Sequence, residues 1–407
     1  MNINPIFIHA LFRTGSTYIW MKFRENPNFH CYYEPFHHFL LEIDKNYINN
    51  FSKEDILSIN LGEKRHYLTE YEGLLKNGDI GIPYFNKSFI FDFYCENGIN
   101  DIQKRYLDYL ILNTDAKVPL FQFNRSALRI RWFKHNYPGS MHIYLVRNPR
   151  DQWESYMKKF QSGKRIFIAM DLMISGLNCR DRYFHKLCQE IPIVEYHHNK
   201  FHYERAFYES ISSQYSNEEK YFIFYYIWFL SFLENVIYAD YIININLLST
   251  NADYKLAIHK ILETRSVKDV DFHDAEIIHY DRYSIDIIQM EKIEQKVHAY
   301  VIDSISELSL DIFFKNLSHY DLEYFGFSKK QLLCEKSKDH IKFYNMDELH
   351  SRYQDLILYK FTESAENYLK IIKLNNQLHH LRKSYSYRVG KTILEPIRMC
   401  RRLFKGF

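Results

Sequence analysis

The chain has 407 residues, with 53 Lys and Arg against 50 Asp and Glu, so its formal net charge at neutral pH is only +3. This balance argues against a general nucleic-acid binder, which needs a strongly basic surface. The hydrophobic share of 46% is enough for a large core and too high for a disordered chain.

The first predicted strand leads into a turn with an anion-binding pattern. Residues 5–10 are mostly apolar, as in a buried parallel strand, and residues 18–23 resume an apolar pattern that suits a helix. A helix start offers free N–H groups, and glycine lets an anion approach closely. The turn between them adds hydroxyls and a cation: Arg13, Thr14, Gly15, Ser16 and Thr17. The spacing lacks the first Gly and the Lys of a Walker A loop, and a turn without ligand is the plain alternative.

An acid and two histidines follow the first predicted helix. Glu34 stands before Pro35 and among aromatic residues, which would desolvate its carboxylate, raise its pKa and suit it to accept a proton. His37 and His38 are rivals for that role because an ordinary imidazole titrates near neutrality. An ordinary loop is the alternative for this segment. Spacing places no third ligand beside the histidines, so we predict no metal site.

A second strand and helix repeat the pattern of the first. Residues 141–146 read as a buried strand, and Pro149 suits the first turn of a helix. Arg147 would stand at the carboxyl end of this strand, where open parallel sheets bind ligands, and Ser155 lies eight residues later on the helix. Before this strand, Arg125 precedes a helix-like stretch at 127–136 and is a secondary site candidate. A solvated loop with an Arg–Asp pair is the alternative for residues 147–151.

The two segments together resemble the nucleotide-binding segments of sulfotransferases that use 3'-phosphoadenosine 5'-phosphosulfate (PAPS). The resemblance covers residues 5–38 and 117–156, and it implies that Arg147 and Ser155 bind the 3'-phosphate of the nucleotide. It also implies that the turn residues 13–17 surround the 5'-phosphosulfate. Carbohydrate sulfotransferases often carry an aromatic-Glu-Pro-aromatic motif, which implies that Glu34 is the general base. Many members have Lys where this chain has Arg13, so we expect Arg13 to act electrostatically, since it cannot donate a proton.

The rest of the chain predicts further helices and one more strand. Residues 157–210 read as helices with loops that shape an acceptor pocket. Residues 216–219 form a capping box that starts a helix to about 239, and residues 241–247 read as a strand. We therefore predict an α/β fold: a P-loop-like parallel sheet flanked by helices over 1–260, and a helical extension over 261–345.

Two further segments end the chain. Residues 346–381 predict a long helix, either for packing or as the arm of a homodimer, with a/d spacing near its end. Residues 382–407 form a basic amphipathic tail, with Glu395 as the acid among eight Lys and Arg. Such a tail can lie on an anionic membrane surface, although a solvated tail or a partner-binding helix is equally consistent. The tail resembles those of bacterial enzymes that modify surface polysaccharides.

Cysteine use and hydropathy predict the compartment. The six cysteines have no C-x-x-C spacing, which fits a reducing compartment. The first strand begins almost at once, so we expect no N-terminal signal or anchor. The longest apolar run, at 221–233, is too short to span a bilayer. We expect a cytoplasmic bacterial protein, peripheral on the inner face of the membrane.

The sequence therefore predicts a carbohydrate sulfotransferase without a metal. Its donor would be PAPS, and its acceptor a hydroxyl of a surface polysaccharide or a lipid-linked precursor. Two alternatives stay open: a glycosyltransferase or kinase that uses another phosphorylated donor, and a non-catalytic membrane-associated adaptor. The acceptor sugar is not predicted.

Overall fold

The structure is a computed structural model that describes residues 4–49, 67–75, 78–92, 94–95, 100–161, 163, 165–264, 267–280, 282–306, 309–310, 312–313 and 316. All of them belong to one compact unit, Met1–Ile341. The second unit, Lys342–Phe407, lies outside the described residues, and so do the helix expected at 346–381 and the basic tail at 382–407.

A parallel sheet of five strands forms the centre of the described part. The strands are β1 (Ile6–His9), β2 (Phe29–Tyr33), β3 (Val118–Phe123), β4 (Met141–Val146) and β5 (Tyr241–Asn244). Their order across the sheet is β2-β3-β1-β4-β5, and all four pairings are parallel. The predicted α/β class, with a parallel sheet flanked by helices and a helical C-terminal part, is confirmed.

Twelve α-helices lie in the described part of the chain. They are α1 (Ser16–Arg24), α2 (Lys45–Asn49), α3 (Asp101–Leu112), α4 (Ile130–Asn136), α5 (Pro149–Gln161), α6 (Ile166–Leu177), α7 (Arg182–Glu190), α8 (Phe201–Ile211), α9 (Asn217–Tyr238), α10 (Ile245–Thr250), α11 (Ala252–Thr264) and α12 (Ile287–Ser304). Pro149 opens α5 as predicted. The predicted capping box opens α9: Glu219 N donates to Ser216 Oγ at 3.1 Å, and Ser216 N donates to Glu219 Oε2 at 2.7 Å.

Both faces of the sheet are buried. Ile8 and Leu145 pack with residues of α1, α10 and α11 on one face. Phe7 and Tyr144, which alternate with them along the strands, point to the other face and pack there in two further clusters. Burial on both faces explains why β1 and β4 are continuous apolar runs in the sequence.

Helix α9 is longer than its apolar run predicted. It has 22 residues and is long and apolar enough to cross a membrane by length and composition alone, but 89% of its apolar window is buried inside the protein. It packs against α12, where Tyr221 donates to Glu294 at 2.6 Å and Tyr225 bonds His298 at 2.8 Å. The sequence prediction considered only residues 221–233, which are too few to span a bilayer, whereas the helix covers Asn217–Tyr238.

Two predicted elements differ from the structure, and the predicted domain limit at residue 260 falls within a helix. The strand predicted at 241–247 ends at Asn244, because the Asn244 side chain accepts from Asn246 N and Leu247 N and caps α10. Residue 260, the predicted end of the first domain, lies inside α11. The segment 267–280 is irregular where a helical pattern was predicted, and it lines a cavity described below.

The strand order places the two anion-binding segments side by side. Strands β1 and β4 are neighbours, but β1 continues to β2 at one edge of the sheet and β4 to β5 at the other. Between such diverging neighbours a crevice opens at the carboxyl ends of the strands, and this is where open α/β sheets bind ligands. The turn at 11–15 and Arg147 both follow these two strands.

Candidate functional site

The turn after β1 has a backbone suited to holding an anion. Arg13 and Gly15 have positive φ angles of 64° and 101°, and Gly15 is the N-cap of α1. Thr14 Oγ1 donates to Leu11 O at 2.7 Å across the turn. A Cβ at Gly15 would lie 3.3 Å from Ile245 Cγ2, so both φ and space favour glycine. The free N–H groups and positive end of α1 therefore open at this turn.

The first hydroxyls of α1 connect it to neighbouring strands. Ser16 Oγ donates to Asn124 Oδ1 at 2.8 Å, and Thr17 Oγ1 lies 2.9 Å from the Tyr33 hydroxyl. Asn124 follows β3 directly, and its Oδ1 also accepts from Gln122 Nε2 at 3.1 Å. These bonds fix the start of α1 against β2 and β3.

The segment after β4 contacts the turn after β1 directly. Arg13 Nε donates to Ser155 Oγ at 2.9 Å, and Arg147 Nη1 donates to Arg13 O at 3.2 Å. Arg147 Nη2 donates to Ile278 O at 2.7 Å. The structure thus brings together the residues for which the sequence predicts two separate phosphate contacts.

Two cavities share Arg13, Gly15 and Arg147 as lining residues. We call the first the Tyr280 cavity, and its volume is about 380 Å³. Its other lining residues are Thr14, Tyr18, Ser155, Lys158, Lys159, Ile245, Leu248, Ser249, residues 275–278 and Tyr280. The second, the Glu34 cavity, has about 450 Å³ and is also lined by Phe12, Ser16, Thr17, Tyr33, Glu34, His37, His38, Tyr67, Asn124, Arg125, Ile166, Phe167 and Met170. Every predicted site residue lines at least one of them.

The charge at the shared wall is positive and lacks carboxylate partners. Neither Arg13 nor Arg147 forms an ion pair with any described residue. Arg147 is 6% exposed and its Nε has no hydrogen-bond partner; burial lowers the pKa of this guanidinium. Four cations line the Tyr280 cavity against one acid, Glu276. A buried guanidinium without a carboxylate is costly, so an anion bound at this wall would stabilise Arg147.

Glu34 lies at the end of β2 in a buried ion pair. Its φ is 47°, it is 2% exposed, and Arg125 Nη1 donates to its Oε2 at 2.7 Å. Burial raises the pKa of the Glu34 carboxyl, as the sequence predicted, and the Arg125 charge opposes this rise. Asn124 is also near, but Oε1 has no well-formed hydrogen bond. Arg125 lines the same cavity, where the sequence made it a secondary candidate.

The two histidines line the Glu34 cavity in different states. His37 Nδ1 accepts from Phe39 N at 3.2 Å and so caps a short 3₁₀ turn, His38–Leu41. Both ring nitrogens of His38 are buried without a hydrogen-bond partner, and burial lowers the pKa of His38 to about 2. The three side chains predicted as alternative general bases, Glu34, His37 and His38, therefore line one cavity.

Several lining residues were missed by the sequence analysis. Lys158 and Lys159 lie three and four residues after Ser155, so helical spacing puts them on its face of α5, a signal that was available. Ile278 and Tyr280 come from the irregular segment 267–280, for which no local pattern exists. The described residues contain no group of three or more His, Cys, Asp or Glu that could hold a metal ion.

Comparisons with known proteins give no relative for this chain. No protein-family model matches it, and neither a curated protein nor a solved structure is significantly similar. What the fold and the site define is an α/β protein whose parallel sheet carries a cationic crevice at the carboxyl ends of β1 and β4.

Proposed function

We propose that this chain is a P-loop-like sulfotransferase that moves a sulfuryl group from PAPS to a carbohydrate hydroxyl. The observation that carries the proposal lies between β1 and β4: Arg147 Nη1 donates to the main-chain oxygen of Arg13 at 3.2 Å, and neither guanidinium forms an ion pair with a described carboxylate. PAPS carries anionic groups at both its 3' and 5' positions, so it needs two cationic contacts in one crevice. The motif resemblance assigns the same residues to these two contacts.

The Tyr280 cavity suits the nucleotide part of PAPS. Arg147, Ser155, Lys158 and Lys159 would hold the 3'-phosphate, because they line this cavity with three charges and a hydroxyl. Ile245, Leu248 and Tyr280 offer an apolar wall to a base ring. The turn residues Arg13–Thr17 and the start of α1 would hold the 5'-phosphosulfate where the two cavities meet.

The Glu34 cavity suits the acceptor hydroxyl. In the transfer, the hydroxyl oxygen forms a bond to sulfur, the bond from sulfur to the 5'-phosphate oxygen breaks, and that oxygen keeps the electron pair. The hydroxyl proton goes to the Glu34 carboxylate, which Arg125 keeps ionised at 2.7 Å. Arg13 stabilises the charge that grows on the leaving phosphate, since a guanidinium holds its proton at any working pH.

A comparison of three nucleotides tests the donor class. We expect 3'-phosphoadenosine 5'-phosphate (PAP) at about 100 times its dissociation constant to stabilise the protein by roughly 2.7 kcal/mol in thermal unfolding. ADP and UDP should stabilise it far less, and Arg147→Ala should abolish the PAP effect. Lys117→Ala is the control, because Lys117 is exposed just before β3, at the amino end of that strand, whereas the crevice lies at the carboxyl ends. If ADP or UDP stabilised the protein as much as PAP does, a kinase or glycosyltransferase would be favoured instead.

The membrane and assembly expectations remain predictions. The basic tail at 382–407, which predicts contact with an anionic membrane surface, lies outside the described residues, as does the predicted dimer arm. The bacterial and cytoplasmic setting and the polysaccharide acceptor belong to the same proposal, and they rest on the sequence pattern.

A further inference from the structure

A third cavity borders the Glu34 cavity at His38. It has about 550 Å³, and we call it the Tyr47 cavity; its walls include His38, Phe39, Tyr47, Lys87, Lys200, Phe201 and Arg205. His38 lines both this cavity and the Glu34 cavity. The volume falls within the roughly 300–1,000 Å³ of small-molecule sites, enough for more than one sugar ring. None of the residues assigned to the nucleotide lines it.

The walls of the Tyr47 cavity combine aromatic rings with cations. Phe39 and Tyr47 lie with ring centroids 5.7 Å apart, and Phe201 stacks on His38 at 4.4 Å. Such rings can pack against the C–H faces of sugars. Three full cations and one acid, Glu42, are among the lining residues.

The cations are not equally available to a ligand. Lys87 is 2.6 Å from the buried Glu204, and this close pair neutralises it. Arg205 is 3.2 Å from Glu209 in a half-exposed pair, which is worth little in water. Lys200 is exposed and forms no ion pair with any described residue. Lys200 can therefore meet an anionic group directly, and Arg205 can do so by exchanging its weak pair with Glu209.

His38 connects the two cavities chemically. Both of its nitrogens are buried without partners, so the neutral ring leaves one donor and one acceptor unsatisfied. Sugar hydroxyls suit either nitrogen, since each hydroxyl can both donate and accept a hydrogen bond. Rings on both sides hold the imidazole in place, His37 at 4.3 Å and Phe201 at 4.4 Å between centroids.

We propose that the Tyr47 cavity is a subsite for an acidic oligosaccharide, whose neighbouring sugar reaches past His38 into the Glu34 cavity. The proposal rests on the proposed function, because it makes this ligand the acceptor of the sulfuryl group. It names an acceptor of at least two sugars with a carboxylate or phosphate on the sugar bound at Lys200 and Arg205. His38 is then a positioning residue that bonds the sugar between the two cavities.

Titration calorimetry on the full chain, with and without saturating PAP, tests this subsite. The probes are trigalacturonate, glucose 1-phosphate and neutral maltotriose. We expect trigalacturonate or glucose 1-phosphate to bind about tenfold more tightly than maltotriose, the affinity ratio of a single charge contact. Lys200→Ala should remove this preference, Lys200→Arg should keep it, and Tyr47→Ala should weaken trigalacturonate by about threefold to tenfold. The acidic probe that wins identifies the anionic group.

Several results would overturn the subsite. They are maltotriose bound as tightly as both acidic probes, no binding of any probe, or affinities that Lys200→Ala and Tyr47→Ala leave unchanged. Lys117→Ala removes an exposed lysine at the amino end of β3 and should change nothing. PAP is also titrated alone, and each glycan titration is repeated without nucleotide, so the two kinds of failure are distinguished. Failure of PAP to bind contradicts the proposed function, whereas failure of the glycan to bind contradicts only the subsite.

Discussion

At the residue scale, the buried pair of Glu34 and Arg125 is the feature on which the chemistry depends. The side chains are 2% and 3% exposed and 2.7 Å apart. Arg125 also lies over the Phe12 ring, with 5.0 Å between its guanidinium carbon and the ring centroid. A carboxylate this deeply buried stays ionised only with a cation beside it, so Arg125 sets the protonation state of the proposed base.

Removal of Arg125 should therefore affect both stability and rate. We expect Arg125→Ala to lower the free energy of unfolding by about 3–5 kcal/mol, the cost of an unpaired buried charge. The pKa of Glu34 would rise further without the opposing charge. A raised carboxyl pKa favours the folded state at low pH, so the loss should shrink as pH falls from about 8 to about 5.

Urea unfolding of Arg125→Ala at several pH values checks this prediction, with the double variant Glu34→Gln/Arg125→Ala as the control. The double variant has no buried carboxylate, so its own free energy of unfolding should lack the pH dependence that Glu34 gives to Arg125→Ala. A loss below about 1 kcal/mol for Arg125→Ala, or the same pH dependence in both variants, would contradict the account.

At the element scale, β1 and β4 are joined by side chains inside the sheet as well as by their backbones. His9 and His142 stack at 5.5 Å between ring centroids, and His9 Nε2 is 3.2 Å from His142 Nδ1. His9 Nδ1 also bonds Ser126 Oγ at 2.7 Å. Both histidines are fully buried, and burial lowers the pKa of His9 well below its usual value and that of His142 to about 4.

This pair should make the fold sensitive to acid. The folded protein keeps both rings neutral, whereas unfolded histidines bind protons below about pH 6.5. The free energy of unfolding should therefore be steady above about pH 6.5 and fall as the pH drops towards 4, by about 3 kcal/mol from His142 alone.

Urea unfolding between about pH 7.5 and 4.5 measures this slope. The double variant His9→Phe/His142→Phe removes both titrating rings while keeping aromatic contacts with Phe7 and Phe133, so its slope should be shallower. Equal slopes in the two proteins would show that the acid sensitivity comes from other groups.

The elements that the sequence predicted well are those with strong local signals. The apolar runs of β1 and β4, Pro149 at the start of α5 and the capping box at Ser216 all appear where expected. Asn244 shows a signal that was overlooked, since Asn is a favoured helix N-cap and here it ends β5 early. Local patterns set these boundaries, so the sequence contains them.

At the scale of the whole molecule, the sequence could not supply the long-range contacts. Glu34 and Arg125 are 91 residues apart, and Arg147 reaches Ile278 across 131 residues. The segment 267–280, which lines the Tyr280 cavity, has no regular secondary structure. Its place could therefore not be predicted from sequence periodicity. The same holds for the Tyr47 cavity, whose walls combine residues 38–47 with Lys87 and residues 199–205.

A helix outside the predicted nucleotide-binding domain, 1–260, also contacts the anion-binding segment. Helix α12 packs on α9, and its Glu294 accepts from Arg150 Nε at 2.9 Å and from Arg150 Nη2 at 2.8 Å. Arg150 lies two residues after Asn148 at the start of α5, so this contact joins α12 to the anion-binding segment. Helix α12, which lies beyond residue 260, therefore packs against the segment that follows β4.

Calorimetry with PAP and with 5'-AMP tests whether the crevice between β1 and β4 recognises a 3'-phosphate. The two nucleotides differ only in that phosphate, which two or more charged contacts should make worth about a hundredfold in affinity. We predict this ratio for the wild type and a ratio below about tenfold for Arg147→Ala. Equal dissociation constants for PAP and 5'-AMP in the wild type would contradict it.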